Sequence, residues 1–223
     1  MKRIFLFILL LWGCAGTVRA QTYLKMNGLY ALVGVINPAV EFRVSERLTY
    51  QAEIVYSPWQ SIRDHGVSKP MHFGICLNEF RRYFRERNDG WYLGANAGMM
   101  LFKMSKPEFR HGKLYLENRY SKGAGLMLGL CVGYEHLFAR KWVLDFFFGW
   151  SYMLSWYNGY SLDGQIDLYP HRPVMPASPD PYNGSGEWYP NKIGVSIGLR
   201  IFDPAKKAAR RDARAREEAR SGR

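Results

Sequence analysis

Five histidines, His65, His72, His111, His136 and His171, are the residues of this chain best suited to acid–base or acyl-transfer chemistry, and none stands in a spacing that such chemistry uses. Nucleophilic catalysis needs a nucleophile in reach of a base that a third group orients, and the chain has neither an HExxH nor a GxSxG pattern. His136, beside Glu135, is the best placed of the five, but it ends an alternating apolar run, where a rim position accounts for it without catalysis. Cys76 and Cys131 lie inside apolar runs with no CxxC and no histidine partner, which argues against a metal site and reads as two free thiols rather than a disulfide. Gly123, Gly125, Gly129 and Gly133 are not followed by a helix start or by Lys-Ser/Thr, so they do not form a phosphate cradle. On a strand they make room for bulky neighbours instead. No catalytic, cofactor or metal set is assigned.

The charged residues say more, because of where they fall. Lys25, Glu41, Arg43, Glu53, Glu135, Asp145, Lys192 and Arg200 occupy the parity opposite to the apolar residues of their segments. In Trp142 to Tyr157 every even position is apolar or aromatic, and Asp145, Gly149, Ser151 and Ser155 fall on odd ones. Gly123 to His136 and Lys192 to Ile201 repeat this pattern. Alternation of this kind sends two sets of side chains to opposite faces of a strand, whereas a helix would scatter them. Leu24 to Leu32, Val40 to Val44, Leu48 to Ser57 and Trp91 to Leu101 read as further strands. Met71 to Phe84 makes eight, with a bulge expected near Asn78, since Phe73, Ile75 and Leu77 are out of step with Phe80 and Phe84. With that slip, Glu79 and Arg81 join the ionic face, giving five positive and five negative groups that can pair across a narrow interior.

The fold expected is all-β: an eight-stranded antiparallel transmembrane β-barrel over residues 21–203. A soluble sandwich would also explain the alternation, but it leaves three other features as coincidences. The strands are long. Short turns (Ser45 to Arg47, Arg85 to Gly90, Ala139 to Lys141) alternate with long loops (Pro58 to Pro70, Lys103 to Ser121, Asn158 to Pro190). Residues 1–20 read as a signal peptide, with Lys2 and Arg3 before an apolar run and a cleavage site between Ala20 and Gln21. The formal net charge of +12 concentrates in that leader and in a basic tail over residues 204–223, helical or disordered. The tail carries eight Lys/Arg against three Asp/Glu from Ala205 onward, so charge gives no reason to expect nucleic acid.

Four stretches carry a resemblance: Lys25-Met26-Asn27-Gly28-Leu29-Tyr30, then Asn37 to Arg47, then Tyr56-Ser57-Pro58-Trp59, then Glu79-Phe80-Arg81. On these the chain resembles the Bacteroidota outer-membrane barrels classed as domain of unknown function 3575, with Asn78, Arg82 and the basic tail as departures. The resemblance implies an eight-stranded barrel in a Gram-negative outer membrane and brings no activity with it. Lys192, Gly194, Ile197 and Leu199 also resemble the last-strand signal read by the barrel-assembly machinery.

The expected function is a non-enzymatic structural, loop-display or envelope-assembly component of the outer membrane, with both mature termini periplasmic and no cofactor. The expected partners are outer-membrane lipid and lipopolysaccharide, the assembly machinery, and another envelope protein reached through the loops or the tail. Trp59, Tyr169, Tyr182, Trp188 and Tyr189 are the loop contact candidates. A lipid A modifying enzyme and a narrow channel are the alternatives.

Overall fold

The computed structural model describes residues 21–110, 112–139, 141–163 and 187–204, with two short pieces at 208–209 and 212–213. Residues 1–20, Tyr169, Tyr182 and most of the basic tail lie outside the described residues.

Eight strands hydrogen-bond into one closed antiparallel barrel. In chain order they are β1 (Thr22–Asn27), β2 (Pro38–Arg43), β3 (Leu48–Ser57), β6 (Met71–Tyr83), β7 (Gly90–Met104), β10 (Arg119–Phe138), β11 (Trp142–Ser161) and β12 (Glu187–Phe202), and β12 closes the ring against β1. Two hairpins, β4 (Ile62–Asp64) with β5 (Val67–Lys69) and β8 (Pro107–Arg110) with β9 (Lys113–Leu116), are built into two of the long connections. The short turns and both strand termini, Thr22 and Phe202, share one end of the barrel, and the hairpins share the other.

The alternation in the sequence becomes inside and outside. Leu126, Leu128 and Leu130 of β10, Phe146, Phe148 and Trp150 of β11, and Ile193 and Ile197 of β12 are exposed on the outer surface, while Asp145, Ser151 and Lys192 between them are buried in the bore. Among the described residues no helix is long and apolar enough to cross a membrane, a criterion that does not bear on strands.

Two expectations about strand limits need correction. Leu24 to Leu32 is not one strand: β1 ends at Asn27 and a short helix, α1 (Gly28–Leu32), follows. Asn27 caps that helix, its Oδ1 accepting from Leu29 N at 3.0 Å, and this local bond competes with continued pairing. Nor does β6 slip near Asn78. It pairs without a register shift from Met71 to Tyr83 against β7 and from Phe73 to Arg82 against β3. Ile75 and Leu77 point inward on the same parity as Glu79, Arg81 and Tyr83, because the bore changes character along its length. The half near the hairpins is apolar, formed by Val55, Ile75, Leu77, Met100, Phe102, Met127, Met153 and Tyr157. The half near the short turns is ionic. Bulges occur elsewhere, at Gly149/Trp150 between β11 and β12 and at Thr22/Tyr23 between β1 and β12.

Candidate functional site

The ionic half of the bore brings together eight of the ten charged residues expected inside, each buried: Lys25, Glu41, Glu53, Glu79, Arg81, Glu135, Asp145 and Lys192. Lys25 Nζ lies 2.9 Å from Glu135 Oε2 and 3.2 Å from Asp145 Oδ2, and also contacts Glu41. Arg81 sits across from it, with Nε 2.6 Å from Glu79 Oε1 and one terminal nitrogen 2.7 Å from Asp145 Oδ2 and 3.3 Å from Glu41 Oε2. Its guanidinium also lies over the Tyr92 ring, 4.6 Å from the centroid. Deeper along the axis, Lys192 Nζ joins Glu53 (2.9 Å) and Glu79 (3.1 Å), so Glu79 links the two groups. Burying ions is costly unless each is paired and its remaining lone pairs are satisfied, so a network is the form that such a bore can tolerate.

The other two expected members do not take part. Arg43 is exposed at the short-turn end, and Arg200 is half-buried there, 3.5 Å from Asp203. Parity places both on the inward face, but they lie past the last buried layer, where the bore opens. The interior balance is therefore three cations against five carboxylates, not five against five. Neutral donors serve the excess. The Tyr92 hydroxyl donates to Asp145 Oδ1 at 2.8 Å, Asn37 Nδ2 donates to Glu53 at 2.9 Å, and Asn88 Nδ2 lies 3.1 Å from Glu41 and 3.2 Å from Glu135. The Tyr83 hydroxyl is shared between Glu41 and Glu135. These four neutral residues were not anticipated. For Tyr92 a signal existed in the pairing of Gly133 with it, since a Cβ at Gly133 would overlap the Tyr92 ring.

The remaining expected sites are placed as follows. Lys192 and Gly194 face inward on β12, and Ile197 and Leu199 face outward, on the strand that closes the barrel. A side chain at Gly194 would collide with the capping amide of Asn27. Cys76 and Cys131 are free thiols. His136 lies at the short-turn rim beside Asp89, its Nδ1 3.2 Å from Oδ1, with no serine or cysteine partner recorded for it among the described residues. Trp188 and Tyr189, expected in a loop, belong to β12, which starts at Glu187. Trp188 packs edge-on against Tyr152 of the outer face at 5.3 Å, and Tyr189 turns inward and donates to Met127 Sδ at 3.0 Å. Trp59 remains outside the strands, but its Nε1 donates to Val33 O at 2.9 Å and its ring covers Gly34, so it clamps the turn after α1.

At the opposite end the two hairpins are fastened to each other. Asp64 Oδ2 accepts from Lys69 Nζ at 2.8 Å and from Leu116 N at 3.1 Å, Lys69 Nζ also donates to Leu116 O, and the His65 and Tyr115 rings stack at 4.8 Å. The Lys69 ammonium, with the Leu116 amide adding to it, pulls the Asp64 carboxyl down to about 2. A depressed carboxyl stabilises a fold fully above its unfolded value, near 4, and loses that effect as pH falls through its folded one. We expect the Leu116 amide to be protected at pH 5, relative to the rate of a free amide at the same pH, and to lose that protection as pH falls through about 2. In an Asp64→Asn variant that transition should vanish, as read by hydrogen exchange.

The architecture defines a class: a small, closed, filled β-barrel with an apolar outer face, a bore crossed by an ion network and two interlocked hairpins at one end. No curated protein and no solved structure matches the chain significantly. The chain matches the family described as "Protein of unknown function (DUF3575)" over residues 5–170 and belongs to it.

Proposed function

We propose that this is a non-enzymatic, integral outer-membrane protein that displays its hairpin end to the outside and joins an envelope assembly. The outer face supports the membrane reading. On β10 the outward run from Ala124 to Tyr134 spans about 33 Å along the strand at roughly 3.3 Å per residue. A tilt of about 45° reduces that to about 23 Å of height, close to the apolar band of outer-membrane barrels. Aromatic residues mark both edges of the belt, with Trp91 against Tyr134 at 5.4 Å near the short turns and Trp156 and Trp188 towards the hairpins. In this orientation the short turns and both mature termini face the periplasm.

The observation that carries the functional reading is the filled bore. Eight strands leave an interior just wide enough for side chains, and here it is occupied by an apolar layer and by a network of eight ions. A solute path would have to break that network, so function is left to the two ends. The hairpin end is suited to contact, since its two hairpins are locked together before any partner arrives.

The test is a cross-linked pull-down from native outer membranes, comparing the full chain with one in which 62–69 is replaced by a short Gly-Ser link. A companion protein should be recovered with the first and lost with the second, while both barrels run faster on gels unboiled than boiled. Recovery of the same companion from both chains, or discrete conductance steps in a planar bilayer, would overturn the reading.

A further inference from the structure

We propose that the short-turn end of the barrel is a binding site for an acidic polypeptide segment. This goes beyond the reading above, because it concerns the opposite end of the molecule and does not depend on what the hairpins contact. A concavity of about 820 Å³ opens there, within the size range of binding sites and far larger than a single small anion. Five arginines from separate parts of the chain line it: Arg43, Arg47, Arg85, Arg87 and Arg200.

What sets this cluster apart is that most of its donors are unused. Among the described residues Arg43, Arg47 and Arg85 form no side-chain hydrogen bond and no ion pair, and only Arg200 has a carboxylate partner, Asp203. Arg87 reaches two neutral oxygens, Glu46 O and Gln21 Oε1, both at 3.3 Å, and its Nε is buried without a partner. Burial, and after it the neighbouring Arg43 charge, hold the Arg87 guanidinium below its usual range, outweighing the nearby Glu46 and Glu86 carboxylates.

The carboxylates in the same wall offset only part of that charge. Asp89 is engaged by His136 and by Leu137 N, and Glu46 and Glu86 form no ion pair among the described residues. The lining therefore carries five positive charges against three negative, a net of +2. The chain's own continuation is basic from Ala205 onward, so its composition adds charge of the same sign.

Chemistry and position select the ligand. Guanidinium forks donate bidentately to carboxylates, and several forks around one hollow suit several carboxylates on one strand of chain. The floor is closed by Tyr23 and by Asn88, which donates into the buried Glu41–Glu135 pair, so the ligand enters and leaves by the same mouth. Tyr23 and Arg43 are on the inward parity of their strands, so the hollow lies on the barrel axis. The apolar belt lies on the opposite, outward face of the same strands, so lipid packed around the barrel would not fill the hollow.

The test is titration calorimetry on the full mature chain in zwitterionic detergent, with hexaglutamate as the probe and hexaglutamine, tripolyphosphate and anionic phospholipid vesicles as controls. Hexaglutamate should bind and hexaglutamine should not. Affinity should weaken as salt rises and fall about tenfold or more in the triple variant Arg47→Gln, Arg85→Gln, Arg87→Gln, whose unboiled gel mobility should match that of the parent. A second variant, with the eight basic residues after Ala205 changed to Gln, should keep most of the binding. The proposal is overturned if hexaglutamate does not bind, if binding follows the tail rather than the three arginines, or if tripolyphosphate or the vesicles compete for those arginines more strongly than the peptide.

Discussion

Replacing Arg81 with Met should lower the stability of the barrel by about 3 to 5 kcal/mol, the usual cost of removing one partner from a buried ion pair. The reason is the company Arg81 keeps. Its Nε and one terminal nitrogen neutralise Glu79 and Asp145 at 2.6 and 2.7 Å, and it also faces Glu41 and Glu135. Without it, five buried carboxylates share two lysines, and the Tyr92 hydroxyl that donates to Asp145 loses the cation over its ring. Arg81→Lys should recover only part of the loss, because an ammonium cannot present the two separate edges that Glu79 and Asp145 occupy. Arg43→Met is the control: the same parity, an exposed rim position and an expected change within about 0.5 kcal/mol. Urea unfolding in lipid vesicles, followed by tryptophan fluorescence and by the gel shift on boiling, measures all three. Equal midpoints for Arg81→Met and Arg43→Met would mean that the ion network contributes nothing to holding the barrel closed.

The contrast between Arg81 and Arg43 also shows how much of this architecture a reader of the residues can recover. Parity is legible wherever one face is apolar and the other small or ionic, and β10 and β11 came through with their faces assigned because Leu128 and Gly129, or Phe146 and Asp145, differ so sharply. Depth along the axis is not legible, since period two says which way a side chain points and nothing about how far from the rim it lies. Hence Arg43 and Arg200 were grouped with Lys25 and Lys192. β6 failed for a related reason. It crosses from an apolar layer, where Ile75 and Leu77 point inward, to an ionic one, where Phe80 and Phe84 point outward, so its apolar residues change parity while its backbone stays in register. The hairpins were hidden because strands of three and four residues carry too few alternations to be seen, and their bond through Asp64 joins segments that are 52 residues apart. The arginines of the short-turn hollow come from turns and strand ends, where sequence pattern is weakest.

The membrane reading itself makes the sharpest demand on the outer face. Leu128, at 66% exposure, lies near the middle of the outward run on β10, and Leu128→Arg should cost about 2 to 4 kcal/mol if hydrocarbon surrounds that position. The same change at Phe138, at the short-turn end of the same strand, should cost no more than about 1 kcal/mol, because an arginine there reaches the interfacial water. Both positions are outward, both are apolar, and neither touches the ion network, so depth in a bilayer is the variable that separates them. A barrel whose outer face met water would show the opposite order of magnitude: both substitutions would be nearly neutral, and Leu128→Arg would improve solubility. Folding into vesicles, read by the fraction that runs in the fast band on gels when unboiled, should therefore fall steeply for Leu128→Arg and barely for Phe138→Arg. If the two variants fold equally well and remain in solution without detergent, the apolar belt faces something other than lipid.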